Sequence, residues 1–565
     1  MANRSLRFRS LLLAVLVALP NVSPAQDPGA YLAARQAGVE NDFGTAADFY
    51  MRALKSDPSN AVLLENAIVS LIGAGDFETA RPLAETIADG SNVSDVSNIV
   101  VVVEAARDRR WDDIQALLEA GLTVSPLIDG ALQAWGALDQ GRPEDAFGTL
   151  DEMISDRTLG IFGAYQKALA LAYVGDFEGA EAIFGDPANI SILPFDQAIL
   201  ARAQVLGQLG RTDDAVDLLA QAQSTNNNPE FRALADALAG GEPVPFDRIT
   251  APSDGVAEIF LAIAIILADE GNPALPLVYA RSAQRLNPDN VAAILMTADL
   301  LEQLGRHEMA TQTYALVPQD HPSFVIAEFG RATALKAEGK VDAAIEVLQQ
   351  LIRRDPTNSM ATATLGDYLR GEENFKDAEA AYTTTLDLYG DTHPATWWVL
   401  FARGITRERL GEWDGAEADF RKSLDLNPGQ PSVLNYLGYS LLERREKLDE
   451  ALAMIQEAVA LQPENGAIVD SLGWALYRLG RIEEAVPVLE KAASLEATDP
   501  VVNDHLGDVL WLVGRKSEAR FQWQRAMSFG PAEVDAARIR RKLDVGLDVV
   551  LEEEGAAPLT ANGNN

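Results

Sequence analysis

The chain has 565 residues, no cysteine and a formal net charge of −38, with 84 acidic against 46 basic side chains. So acidic a chain lacks the basic footprint that nucleic-acid binding requires. The missing thiols exclude disulfides and a lipid-modified N-terminal cysteine.

Residues 1–25 read as a signal peptide. Arg4, Arg7 and Arg9 precede the apolar run Leu11 to Leu19, and Ser23-Pro24-Ala25 supplies small residues for cleavage after Ala25. The run is short for a bilayer span, so the expected product is an exported, soluble, non-lipidated periplasmic protein. The longest later apolar run, Ile259 to Leu267, suits a buried helix and not a membrane span.

From residue 26 onward, small residues recur about every 34 positions. One series is Ala46, Ala80, Ile114, Ala146, Ala180 and Ala215. A second is Pro276, Ala310, Ala344, Ala378, Ala416, Ala451, Ala485 and Ala519. A glycine followed by a polar residue often precedes the marker, as at Gly75-Asp76 and Gly411-Glu412. Such a pair ends one helix and starts another. A proline follows about twelve residues later, as at Pro58, Pro288, Pro428 and Pro463, and it cannot continue a helix. Twelve residues before the marker lie Gly366, Gly404, Gly473 and Gly507. Each unit therefore reads as two antiparallel helices that touch at a glycine and an alanine. Pro276 is tolerable if it falls in the first turn of its helix.

The period divides the chain into an N-terminal solenoid over 26–222 and a C-terminal solenoid over 257–531. Between them, 223–256 reads as an irregular joint, with Asn226-Asn227-Asn228-Pro229, one helix near Glu230 to Leu238, and Gly240-Gly241-Glu242-Pro243. A fragment starting near Pro252 is expected to fold alone. Residues 532–550 read as one capping helix carrying Arg538, Arg540, Arg541 and Lys542. Residues 551–565 are small and polar and are expected to be disordered.

The repeat resembles the tetratricopeptide repeat. Leu437-Gly438, Leu472-Gly473 and Leu506-Gly507 carry the first part of its pattern, and Ala416, Phe420 and Pro428 carry the second. The resemblance spans roughly residues 28 to 531. It implies an all-α, right-handed superhelical solenoid of about 14 helix-turn-helix repeats. It also implies that the first helix of each pair lines a concave groove. The exposed inner positions of the family then map onto Trp398, Phe401, Arg409, Asn435, Tyr439, Asp470, Trp474, Tyr477, Arg478 and Trp511, with Asp504 and Asp508 beside them. Aromatics flanked by Arg, Asn and Asp are typical of protein-binding hot spots. Trp413 and Trp523 fall on packing positions. Tyr439 and Trp474 occupy equivalent positions one unit apart, and both are expected to bury little area.

Residues 437–441 and 472–481 also look like envelope repeat proteins that serve as adaptors for periplasmic C-terminal processing proteases. Those adaptors are usually lipidated, and this chain has no cysteine to lipidate. No catalytic constellation, metal site or cofactor motif emerges. His307-Glu308 opens like a zinc-protease motif, but position 311 is threonine. The expected function is a non-catalytic periplasmic scaffold or adaptor. It would bind a protein or peptide in its groove, with an envelope protease or assembly complex as partner. The alternative is a module of envelope polysaccharide synthesis or export whose aromatics stack on glycan.

Overall fold

The computed structural model describes residues 27–88, 95–186, 196–268 and 271–555. Residues 1–25, expected to be a signal peptide, and the last ten residues lie outside them. The described residues form thirty-one α-helices and no strand. They group into two compact units, one ending at Val347 and one starting at Leu348.

In the first unit, six hairpins follow one another. They are α1 (Pro28–Val39) with α2 (Phe43–Leu54), α3 (Ala61–Ala74) with α4 (Phe77–Ala88), and α5 (Asp95–Arg107) with α6 (Trp111–Glu119). Then come α7 (Pro126–Asp139) with α8 (Pro143–Ser155), α9 (Gly160–Tyr173) with α10 (Phe177–Phe184), and α11 (Asp196–Gln208) with α12 (Thr212–Gln223). The solitary α13 (Pro229–Ala239) precedes α14 (Pro252–Ala268) and α15 (Ala274–Leu286), α16 (Val291–Gln303) and α17 (His307–Tyr314), and α18 (Phe324–Ala337) and α19 (Val341–Arg354). The unit boundary falls inside α19. The second unit pairs α20 (Ser359–Gly371) with α21 (Phe375–Tyr389), α22 (Thr396–Arg409) with α23 (Trp413–Leu426), and α24 (Pro431–Glu443) with α25 (Leu448–Leu461). It continues with α26 (Gly466–Arg478) and α27 (Ile482–Leu495), then α28 (Pro500–Leu512) and α29 (Lys516–Ser528). It ends in α30 (Glu533–Val545) and α31 (Leu547–Glu553).

The repeated local chemistry explains the hairpins. Gly75 takes φ +83° at the end of α3, a conformation that favours glycine. The next residue, Asp76, then caps α4 by accepting the Thr79 amide at 3.0 Å. Where paired helices cross, the contact is as tight as the spacing of small residues implies. A Cβ at Gly404 would lie 2.5 Å from the Phe420 ring, and one at Gly473 would lie 2.4 Å from Leu489. The alanines of the two marker series are fully buried, Ala46 through Ala519. Pro276 sits in the first turn of α15, as its position required.

Residues 223–256 do contain the expected helix, α13, and an extended run. They do not separate two cores. α14 turns back and packs on α7 and α9, and α15 packs on α5 and α3. One hydrophobic core runs from Ala30 to Ala293. Polar contacts hold the same docking. The Tyr165 hydroxyl donates to Glu258 at 3.0 Å. Arg285 Nε donates to Glu104, a buried carboxylate, at 2.7 Å, and Arg285 also pairs with Glu78. Gly255 lets α14 meet α7, because any Cβ there would strike the Trp135 indole. The inner face of the early repeats is thus covered by the chain itself. No helix among the described residues is long and apolar enough to cross a membrane.

The C-terminal cap also departs from the single helix expected over 532–550. Gly546, at φ +89°, breaks it. α31 folds back and buries Leu547, Val550 and Leu551. Residues 551–553, expected in a disordered tail, are therefore its last turn.

Candidate functional site

In the second unit the first helices of successive pairs touch one another, α24 on α26 and α26 on α28. They therefore line the inner side of that unit. Side chains on them that point away from their partner helices form the candidate surface.

At one end, Trp398 is 43% exposed. Its ring meets Trp397 at 5.8 Å and Phe401 at 5.7 Å. Phe401 is buried, packed against Phe420 at 6.0 Å and Tyr436 at 5.8 Å. Arg409 is exposed one helix length further along. The Tyr436 hydroxyl donates to Glu408 at 2.7 Å.

The centre is built from α24, α26 and α28. Glu443 gathers two donors from α26: Trp474 Nε1 at 3.1 Å and Arg478 at 2.9 Å to each carboxylate oxygen. Trp474 stacks on Tyr477 at 4.5 Å and on His505 at 3.9 Å. His505 Nδ1 lies 2.9 Å from Asp470 Oδ2, while Asp470 Oδ1 is buried without a partner. Burial alone would lower the His505 pKa. The Asp470 carboxylate, with Asp504 and Asp508 nearby, outweighs burial and raises it. Tyr439 is half-buried, and burial beside Glu443 and Asp470 pushes its hydroxyl pKa upward. Asn435 is also half-buried, with its Oδ1 enclosed and unpartnered.

At the far end, α30 and α31 cover the inner positions of the last pair. The fully buried Lys542 ammonium donates to Asp504 at 2.7 and 2.8 Å and to Asp508 at 2.6 Å. Arg538 reaches Asp508 at 3.3 Å. Trp511 is buried and donates to Asp548 of α31 at 2.9 Å.

Ten groove residues were expected, and the structure sorts them. Trp398 and Arg409 are exposed, and Asn435, Tyr439, Trp474 and Arg478 are half-exposed. Phe401, Asp470, Tyr477 and Trp511 are buried, which corrects their expected exposure. Phe401 and Tyr477 are taken up by neighbouring rings, Asp470 by His505, and Trp511 by the folded-back cap. Trp474 is likewise no free aromatic, since it stacks on two rings and ties its indole N–H to Glu443. Trp413 and Trp523 are core, as their positions required. Two residues were missed. Glu443 lies four positions after Tyr439, a helical spacing that could have found it. His505 lies one position beyond the inner residue Asp504, and no sequence signal marks it.

The tetratricopeptide-repeat family models match residues 198–221, 327–358, 358–428 and 437–500. A TPR repeat-containing protein of Pseudomonas aeruginosa is 27% identical over 183 residues, 32% of this chain and 30% of that protein. The general transcriptional corepressor ssn6 of Schizosaccharomyces pombe is 24% identical over 202 residues, 36% of this chain and 18% of that protein. The chain thus spans less than a third of these relatives. Among solved structures, the Cut9–Hcn1 hetero-tetramer of the APC/C aligns over 93% of this chain and 97% of that one, with TM-score 0.37 and 16% identity. YrrB, described as a TPR protein with an unusual peptide-binding site, aligns over 35% of this chain and 99% of that one, with TM-score 0.28 and 16% identity. Such repeats form protein-interaction scaffolds. The 34-residue period, paired helices, glycine–alanine crossings and four family matches support a tetratricopeptide-repeat protein.

Proposed function

We propose that the protein is a non-catalytic periplasmic scaffold that binds a protein or peptide on the inner face of its second unit. One observation carries this reading. The inner face of α24 and α26 keeps Asn435, Tyr439, Trp474 and Arg478 half-exposed. In the first unit, α14 and α15 lie on α3, α5, α7 and α9 instead. The surface mixes an aromatic rim with the paired charges of Arg478 and Glu443. Aromatic and Arg side chains with a polar rim are what peptide and protein partners dock on. Glycan stacking is the weaker reading, because it needs a free aromatic face, and Trp474 already stacks on Tyr477 and His505.

Capture from an envelope extract, run with the mature chain and with its Tyr439→Ala/Arg478→Ala variant, tests the proposal. A protein retained by the first and lost by the second is expected. Equal capture by both would remove this face from consideration. Export is tested by sequencing the N-terminus of the native protein, which should begin at Gln26.

A further inference from the structure

Between α13 and α14 the chain runs extended from Pro243 to Ile249 without joining any helix. This strap lies on the inner face of α11. Gln197, Gln204 and Gln208 share one side of that helix, since separations of seven and eleven residues return to nearly the same angle. All three contact the strap. Gln204 makes a two-point contact with Asp247, accepting its backbone N–H at 3.2 Å and donating to its Oδ1 at 2.7 Å. Gln208 donates to the Val244 carbonyl. Gln197 accepts from Arg248 at 3.2 Å, and Glu230 of α13 pairs with the same guanidinium at 3.1 Å. Phe246 meets Phe177 at a ring distance of 6.4 Å.

Side-chain amides of one helix thus hold an extended backbone, and an aromatic packs beside them. The seat is loose. From 243 to 249 only Ile249 is buried, and Pro243, Pro245 and Asp247 are exposed. A cavity of about 500 Å³ remains beside the strap, lined by Tyr173, Phe177, Gln208, Pro243, Phe246 and Ile249 among others. The strap's backbone is held by side chains, the Asp247 amide by Gln204 and the Val244 carbonyl by Gln208, so it can leave without breaking a helix or a sheet.

We infer that the inner face of α9 and α11 is a second peptide site, now held by the chain's own Pro-Val-Pro-Phe-Asp-Arg segment. Its partner is an extended segment of another protein with a proline-rich start, an aromatic, and an Asp to pair with Gln204. The site belongs to the first unit and stands whether or not the second unit binds anything.

The test uses a labelled synthetic peptide with the sequence of residues 241–250 and the full mature chain. In one variant the strap becomes Pro243→Gly, Val244→Ser, Pro245→Gly, Phe246→Ser, Asp247→Gly and Arg248→Ser, with Ile249 kept and with Asp254, which caps α14 by accepting the Thr250 and Ala251 amides, also kept. Fluorescence anisotropy should show saturable binding to this variant. Binding to the wild type should be at least about tenfold weaker, because a tethered segment competes at an effective concentration of about millimolar. Adding Gln204→Ala to the variant should abolish binding. The inference is overturned if the variant, helical by circular dichroism, binds no better than the wild type, or if Gln204→Ala changes nothing. A wild-type dimer whose straps exchange between copies would also overturn it, assigning the site to a second copy. Hydrogen exchange on the wild type covers a variant that fails to fold. The Asp247 amide should exchange at least about tenfold faster than the α11 core amides, and equal protection would overturn the inference.

Discussion

The Trp474 indole lies nearly parallel to the His505 imidazole, with centroids 3.9 Å apart and planes 14° apart. The far side of His505 is tied to Asp470 at 2.9 Å. One ring pair thus links the exposed rim of the inner face to a buried carboxylate. A protonated imidazole strengthens both contacts, as a cation over an aromatic face and as an ion pair.

The stability of the second unit should depend on pH through His505. Its pKa is raised in the fold above the usual histidine value of about 6.5. A raised histidine contributes its stabilisation fully below the unfolded pKa and loses it as pH rises through the folded one. Asp504 is pushed up to about 6 by burial and by Asp508, against the opposing Lys542. It finishes titrating near the lower edge of this window. Thermal melts should therefore decline from pH 6.5 upward, and His505→Gln should flatten that decline. A variant with the wild-type slope would remove His505 as its source.

Tyr439 and Trp474 should separate in their effects, although they occupy equivalent positions. Trp474→Ala removes two stacking contacts and the donor to Glu443, so it should destabilise the unit by about 1–3 kcal/mol. Tyr439→Ala removes a half-buried ring with no such stacking, so it should lower stability less and partner capture more. Urea melts and capture on the same two proteins decide this. Equal destabilisation would place Tyr439 in the core as well.

What the sequence reveals follows the range of each contact. Gly404 and Phe420 are sixteen residues apart and meet within one hairpin, so the recurring pattern encodes their contact directly. Arg285 and Glu104 are 181 residues apart. A periodic pattern describes neighbours and carries no sign that α15 docks on α5. The inner face is half legible for the same reason. Helical position puts Tyr439 and Trp474 at equivalent places on α24 and α26, but it does not give the half-burial of both rings. Whether a ring there stays open depends on the next pair, and on a cap that folds back at Gly546 over Trp511.

Lys542→Met should destabilise the C-terminal cap strongly. The ammonium is fully buried and serves two carboxylates, Asp504 and Asp508. Its removal leaves both charges enclosed, with Arg538 the nearer remaining cation at 3.3 Å from Asp508. Breaking one side of a buried ion pair typically costs about 3–5 kcal/mol. Denaturant unfolding should show the loss, and Asp504→Asn combined with Lys542→Met should recover part of it. A near-neutral single substitution would mean that water already reaches the pair.

The last prediction concerns where the chain can be cut. The irregular run at 223–256 invites a cut near Pro252, yet Val256, Ile259 and Phe260 of α14 belong to the core that begins at Ala30. A fragment starting at Pro252 would expose that apolar face, together with Glu258 and Arg285, whose partners Tyr165 and Glu104 it lacks. A fragment starting at Lys340 keeps α19 whole and contains all of the second compact unit. Stability in a repeat stack comes from intrinsic and nearest-neighbour terms, so this shorter piece should be helical, monomeric and cooperative in unfolding. The longer piece should bind a hydrophobic dye and aggregate on warming. Circular dichroism, dye binding and light scattering on the two fragments give the answer. A well-behaved Pro252 fragment would show that α14 and α15 are only lightly docked on the early repeats.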